Sequence, residues 1–234
     1  MKKFIFDVDG TLTPSRGIID ESFSKWFYDF MRHNDVYFVT GSDAEKTIEQ
    51  VGEDIFRKAQ YSFNCSGNEV YQLGSVVYKN PWECPEDLWL WLEDRLYQSS
   101  YPNKYGKNFE QRTGMLNFSV VGRAAIGEQR KDYYEWDLIN RERDKLAEYI
   151  NKNWPNITAS VGGETGIDIF EKGRDKAQIL KWFEGENDLV FFGDRIDPLG
   201  NDWSLAQAII DNNKGMCYNV KDYNETWDLL RHYG

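Results

Sequence analysis

The stretch FDVDGTLT, Phe6 to Thr13, puts two carboxylates, Asp7 and Asp9, at the mouth of an apolar run and follows them with Gly10 and the hydroxyls of Thr11 and Thr13. Two like charges at a buried strand end raise each other's cost of ionisation unless a cation or a charged ligand sits between them. The pair therefore calls for a positive partner that this stretch does not contain. Asx-type bonding by Asp9 into Gly10-Thr11 would give the same residues a purely structural use as a capped turn.

Three short continuous apolar runs must position such groups: Lys3 to Val8, Val36 to Thr40 and Leu189 to Phe192. Continuous hydrophobicity marks strands buried on both faces, as in a parallel sheet covered by helices. Each run ends in polar residues: Asp7 and Asp9, then Thr40-Gly41-Ser42-Asp43, then Gly193-Asp194. In open α/β sheets the ligand crevice lies at the carboxyl ends of the strands, so these three segments are expected to converge on one edge.

Between them the pattern alternates, in Met115 to Val121, Ile157 to Val161 and Gly166 to Phe170. Alternation predicts antiparallel strands with one buried and one wet face, and it places Asn117, Ser119 and Asp168 on the wet side. Glu86 to Gln98 and Asp132 to Asn153 lack Pro and Gly and carry Leu88, Leu92 and Leu96, or Ile139, Leu146 and Ile150, near helical spacing, so both segments are predicted to be helical. The fold class is α/β: a parallel-sheet core over 1–80 and 173–234, with an inserted α+β module over 81–172. Asn80-Pro81 and Lys172-Gly173 are the turn-like joints and the hinge candidates.

The 234 residues suffice for one large domain or two small ones. With 28 Lys and Arg against 39 Asp and Glu, the formal net charge of -11 argues against a general nucleic-acid or anionic-membrane binder, and any anion site must be local. The three cysteines, Cys65, Cys84 and Cys217, fit neither a zinc site nor a disulfide framework and read as reduced thiols of a cytoplasmic protein. The start of the chain lacks the apolar length of a signal peptide or membrane span.

FDVDGTLT, the hydroxyls after the second run, Lys176 in Arg174-Asp175-Lys176, and FFGD (191–194) followed by Gly200-Asn201-Asp202 together resemble the four motifs of the haloacid dehalogenase superfamily of phosphotransferases. The middle segment narrows this. Arg112-Thr113-Gly114-Met115-Leu116-Asn117-Phe118-Ser119 through Gly122-Arg123, then Glu128-Gln129-Arg130, is similar to the cap of the eukaryotic-type phosphomannomutases, as are TGSDAEK (40–46) and Gly162-Gly163.

The resemblance implies a haloacid-dehalogenase-like core with an inserted cap, and it assigns roles. Asp7 would be the nucleophile that forms an aspartyl-phosphate and Asp9 the general acid/base. Mg²⁺, a hard six-coordinate cation, would lie between Asp7, the Asp9 backbone carbonyl and Asp194, with Asp197, Asn201 and Asp202 shaping the metal loop, and it would answer the repulsion noted at the outset. Either Ser42 or Thr40 would hydrogen-bond the transferring phosphoryl group. The mutases favour Ser42 and the wider superfamily Thr40, while Ser42-Asp43 would also cap the helix that follows. Lys176 would add a point positive charge at the start of a helix running through Trp182. Arg112, Arg123 and Arg130, assisted by Arg16, would hold the distal phosphate of a sugar phosphate, each charge-assisted bond contributing about 1.5 to 3 kcal/mol. Asp168 would accept from sugar hydroxyls.

Three positions depart from the family pattern: Gly166 where a serine is usual, Leu199 where a second glycine is expected, and the order of Ser66-Gly67-Asn68-Glu69. The implied activity is interconversion of mannose 6-phosphate and mannose 1-phosphate, primed by a hexose 1,6-bisphosphate. A sugar-phosphate phosphatase using the same aspartyl-phosphate is the alternative, and a catalytically silent sugar-phosphate-binding protein the third reading. The partners implied are a hexose phosphate and a second copy of the chain meeting through the cap, with Leu88, Trp89 and Trp91 as a candidate apolar patch.

Overall fold

The computed structural model describes residues 2–198 and 200–233, so Leu199 lies outside the described residues. The chain divides into two compact units, Met1–Asn80 with Arg174–Gly234, and Pro81–Gly173.

The first unit is built on a seven-stranded sheet of order β11-β10-β1-β2-β3-β4-β5. Its strands are β1 (Lys3–Phe6), β2 (Asp35–Val39), β3 (Tyr61–Asn64), β4 (Glu69–Gln72), β5 (Ser75–Lys79), β10 (Leu189–Gly193) and β11 (Gly215–Asn219). β1 lies between β10 and β2, parallel to both, and among these strands only β4 is reversed, pairing antiparallel with β3 and β5. The apolar runs are continuous because helices cover both faces. Phe4 and Phe6 of β1 face α1 (Glu21–Phe30), α2 (Ala44–Val51), α3 (Glu53–Lys58) and α8 (Tyr223–Leu230), while Ile5 packs with Ile179, Phe183 and Leu205 on the other side. Helix α1 shows the local logic. Asp20 caps it by accepting from Ser22 and Phe23 N–H at 2.9 and 3.0 Å, and Phe23, Phe27 and Phe30 form its buried stripe.

The second unit is a four-stranded antiparallel sheet, β6 (Phe109–Arg112), β7 (Met115–Phe118), β9 (Gly166–Glu171) and β8 (Ile157–Gly162), in that spatial order. Leu116, Phe118, Ile167 and Ile169 face a core formed with Leu88 and Leu92 of α4 (Glu86–Gln98), Tyr133, Leu146 and Ile150.

The helical stretch expected over 132–153 forms two helices, α5 (Gly127–Asn140) and α6 (Glu142–Asn153), broken at Arg141, whose φ of 52° is left-handed. Asp137 makes the break by accepting from both the backbone N–H (3.0 Å) and the Nε (2.7 Å) of Arg143, a buried ion pair that competes with helical continuation. Ile139, expected on the apolar stripe, is therefore 83% exposed. Leu88 is wholly buried and cannot contribute to a surface patch; Trp89 stacks on Phe109, and Trp91 on Tyr149. Among the described residues, no helix is long and apolar enough to cross a membrane.

Candidate active site

The end of β1 delivers Asp7, and its N–H donates to the Phe192 carbonyl of β10, so the two strands that carry Asp7 and Asp194 are tied in register at their carboxyl ends. Gly10 turns the chain immediately afterwards with φ of 87°, and a Cβ there would lie 2.5 Å from Asp194 Oδ2. Only glycine lets the loop after the strand pass this close to the carboxylate.

Asp7, Asp194 and Asp202 form one acidic cluster, their oxygens lying within 4.8 Å of one another. Lys176 enters it, with Nζ 2.6 Å from Asp7 Oδ1 and 2.7 Å from Asp202 Oδ1, and all three of these side chains are buried. Asp202 Oδ2 accepts the Arg195 N–H at 3.1 Å, so both its oxygens are engaged by the protein.

Burial pushes the Asp7 carboxyl well above the ordinary carboxylate range; Lys176 pulls it down, and Asp202 and Asp194 push it up again. Burial and the charge of Asp202 likewise push Asp194 up to about 7. Burial alone would lower the Lys176 ammonium, but the two carboxylates outweigh it and hold the group charged. One ammonium among three carboxylates leaves excess negative charge in a desolvated place, and the donors are hard oxygens. The cluster thus fits a hard divalent cation, with Asp7 and Asp194 as the carboxylates best able to turn toward it.

Asp9 is not part of this cluster. Its Oδ1 accepts from the Arg16 N–H and from Gln50 Nε2, the latter at 3.0 Å. The expectation for Asp9 as a metal ligand concerned its backbone carbonyl, and the carboxylate is turned instead to Arg16 and Gln50. Gln50 is fully buried and also reaches Thr13 Oγ1 at 3.2 Å.

The two hydroxyl candidates are sorted by their surroundings. Thr40 is buried and its Oγ1 accepts the Ser42 N–H at 3.1 Å, whereas Ser42 is half-buried. The capping role falls to Asp43, which accepts from Lys46 N–H at 2.8 Å.

Lys176 opens the helix expected through Trp182, which is a 3-10 helix over Lys176–Phe183. Asn68, fully buried, donates to the Cys65 and Arg174 carbonyls at 2.8 and 3.1 Å and accepts from Asn80 at 2.9 Å; Gln178 donates to the Ser66 and Arg174 carbonyls. These amides brace the backbone two residues before Lys176, and the unusual order of the 66–69 turn still provides the asparagine that does so. Gln50, Asn68 and Gln178 escape a sequence reading because an amide carries no charge pattern and no periodicity. A buried polar residue between strand ends is the only signal they offer.

In the second unit the arginines are paired. Glu110 Oε2 is 3.2 Å from Arg112 Nε and 3.0 Å from Arg123 Nε, so one carboxylate serves two guanidinium groups. Arg130 meets Glu164 at 3.1 Å and Thr165 Oγ1 at 3.2 Å. Asp168 does not stand on a wet face. It is 6% exposed, accepts from Asn117 Nδ2 at 2.6 Å, and shares a buried side of the sheet with Asn117 and Ser119. Alternation separates two faces of a strand but does not tell whether the polar one is open.

The eukaryotic phosphomannomutase family matches residues 23–233. The phosphomannomutase of Saccharomyces cerevisiae is 33% identical over 211 residues, covering 86% of this chain and 83% of that protein. Among solved structures, the C-terminal domain of Candida albicans trehalose-6-phosphate phosphatase superposes with a TM-score of 0.68 at 14% identity, over 97% of this chain and 89% of that one. A haloacid dehalogenase-like hydrolase from Bacteroides thetaiotaomicron superposes with a TM-score of 0.62 at 11% identity, over 100% and 99%. These likenesses give the fold, α/β and haloacid-dehalogenase-like. The match along the sequence gives more: the chain belongs to the eukaryotic phosphomannomutase family of enzymes.

Proposed function

We propose that the chain interconverts mannose 6-phosphate and mannose 1-phosphate in the cytoplasm by way of an aspartyl-phosphate on Asp7 and a hexose 1,6-bisphosphate. The observation that carries this reading is the buried Lys176 ammonium, shared between Asp7 at 2.6 Å and Asp202 at 2.7 Å, in a chain of this family. Asp7 attacks phosphorus while Lys176 holds it in place and offsets charge as the phosphoryl group approaches. Asp9 supplies the proton to the departing hydroxyl oxygen and takes one from the hydroxyl that next attacks the aspartyl-phosphate. Ser42 is the hydroxyl we assign to the phosphoryl group, because it is half-buried whereas Thr40 is buried.

Mg²⁺, held by Asp7, Asp194 and the Asp9 backbone carbonyl, would screen nucleophile from phosphate and polarise the phosphoryl oxygens. Asp202 supports the site by fixing Lys176 and the Arg195 backbone. Arg112, Arg123 and Arg130, with Arg16, bind the distal phosphate, and Asp168 binds sugar hydroxyls. A homodimer through the cap would have to draw on residues other than Leu88.

A second reading, hydrolysis of the same aspartyl-phosphate, is favoured by Gly166, which leaves one hydroxyl out of the cap. A coupled assay on mannose 1-phosphate with Mg²⁺, with and without hexose bisphosphate, separates the two when hexose 6-phosphate and free phosphate are both followed. Mutase activity predicts bisphosphate-dependent hexose 6-phosphate with little free phosphate. Stoichiometric free phosphate overturns it in favour of hydrolysis, and no turnover in favour of a binding protein.

A further inference from the structure

Helix α2 grips the loop that follows β1 from Asp9 to Ile19. Lys46 and Gln50 are four residues apart and so stand one above the other on one side of the helix. Lys46 Nζ donates to the Arg16 carbonyl at 3.4 Å, and Gln50 Nε2 donates to Asp9 Oδ1 at 3.0 Å and to Thr13 Oγ1 at 3.2 Å. The Gln50 carbonyl accepts the Ile19 N–H at 2.8 Å.

The backbone at the start of this loop is fixed by its own hydrogen bonds. The N–H groups of Thr11, Leu12 and Thr13 donate to the Val8 carbonyl at 3.3, 3.0 and 3.1 Å, and Gly10 N–H donates to the Thr13 carbonyl at 3.0 Å. What remains to be set is the rotation of the Asp9 side chain.

The Gln50 amide has one orientation. Its oxygen cannot face the Asp9 carboxylate, and the Thr13 hydroxyl donates to the Val8 or Pro14 carbonyl, 3.3 and 3.0 Å away, which leaves it as an acceptor toward Gln50. Both amide N–H groups therefore point at acceptors. The arrangement has a cost, because Gln50 Oε1 is buried with no hydrogen-bond partner among the described residues. An apolar side chain of the same length would not incur it, so packing alone gives no reason for an amide here.

The Arg16 N–H and the Gln50 amide both donate to Asp9 Oδ1. Asp9 Oδ2 makes no hydrogen bond among the described residues, and the side chain is half-buried, so Oδ2 is the oxygen left to carry a proton.

We propose that Gln50 is a positioning residue for proton transfer: it holds Asp9 by Oδ1 so that Oδ2 is presented in one fixed direction. This rests on the reading that Asp9 is the general acid and base. As the Asp7 carboxylate bonds to phosphorus, the bond from phosphorus to the sugar oxygen breaks, its electron pair stays on that oxygen, and the proton on Asp9 Oδ2 moves there. Without the amide, the carboxyl group can rotate about its own bonds, and fewer encounters find the proton aligned with the departing oxygen.

The test is rapid-quench measurement of Asp7 phosphorylation in the full chain with Mg²⁺, using hexose 1,6-bisphosphate or 4-nitrophenyl phosphate as donor. A sugar oxygen leaves poorly unless it is protonated, whereas 4-nitrophenolate leaves without a proton. Gln50→Met keeps the length of the side chain and removes both N–H groups, and its loss of rate should be about tenfold or more greater with the sugar donor than with the aryl donor. In an Asp9→Ala background the same substitution should cost nothing further with the sugar donor, because a residue that acts through Asp9 has nothing left to act on. Equal losses with the two donors, or a further loss in the Asp9→Ala background, overturn the inference and leave the functional reading intact. Failure of the unaltered chain to be phosphorylated by hexose bisphosphate overturns that reading, and this inference with it. Should Gln50→Met not fold, Gln50→Asn serves instead: its amide is one methylene short of Asp9, so the same selective loss is expected, and a variant with the full rate on the sugar donor would overturn the inference.

Discussion

The Lys176 ammonium and the Asp7 carboxylate lie 2.6 Å apart across 169 positions of sequence, and both are buried. Lys176 completes the pair with Asp202 on its other side. An ammonium so placed is at once part of the chemistry and part of the fold, because each carboxylate it faces would otherwise be a buried charge without a counter-ion.

Replacing Lys176 by Met keeps the length of the side chain and removes its charge. Two buried carboxylates are then uncompensated, and loss of one partner of such a group costs about 3 to 5 kcal/mol. Turnover is expected to fall at least about a hundredfold as well. Urea denaturation and steady-state kinetics check the two losses; a variant of unchanged stability and activity would contradict the assignment.

Asp7→Asn should abolish turnover and leave the fold intact. The amide matches the carboxylate in shape, Lys176 retains Asp202, and one source of like-charge repulsion toward Asp194 and Asp202 disappears. The melting temperature of the metal-free variant should therefore equal or exceed that of the unaltered protein. Acid-quenched mass spectrometry after addition of hexose bisphosphate should show a phosphorylated chain only when Asp7 is present. A phosphorylated Asp7→Asn chain would rule out this nucleophile.

Asp194 makes stability and metal binding depend on pH. Its carboxyl is pushed up to about 7 in the folded chain, from 3.8. Between those values the unfolded chain releases its proton and the folded chain keeps it, so this group lowers the stability of the metal-free protein as pH rises from about 4 to 7, and no further above that. A cation on Asp194 must displace the same proton. The rise in melting temperature on adding Mg²⁺ should consequently be larger at pH 8 than at pH 5.5, and an equal rise at both would speak against Asp194 as a ligand.

Arg123→Ala removes one of the two guanidinium groups on Glu110. Binding of hexose phosphates should weaken about tenfold or more, while hydrolysis of a small aryl phosphate, which has no distal phosphate, should change less than about twofold. Comparing the two substrates in one preparation decides the matter, since equal losses would place Arg123 outside the distal-phosphate site.

Much of this was legible in the order of residues. The runs at Lys3 to Val8, Val36 to Thr40 and Leu189 to Phe192 predict buried parallel strands, and β1, β2 and β10 are neighbours in the sheet. The alternating segments predict the antiparallel strands β7, β8 and β9. The break at Arg141 was not legible, because Asp132 to Asn153 has no Pro or Gly and the break comes from an ion pair between Asp137 and Arg143 that is specific to the turn. The burial of Asp168 was missed for a related reason: a period of two assigns side chains to faces and is silent about what surrounds each face.

By itself, then, the sequence determined the kinds of groups present, the periodicity of the segments that carry them, and the motif order that marks the family, all properties of residues near one another along the chain. Only the tertiary structure decided that Lys176 stands between Asp7 and Asp202, that Asp9 turns to Gln50, that Glu110 gathers two arginines, and that Asn117 braces Asp168. These are pairings of charge and of buried donors with acceptors. Their energies depend on distance and on the exclusion of water, and both are set where strands and helices meet.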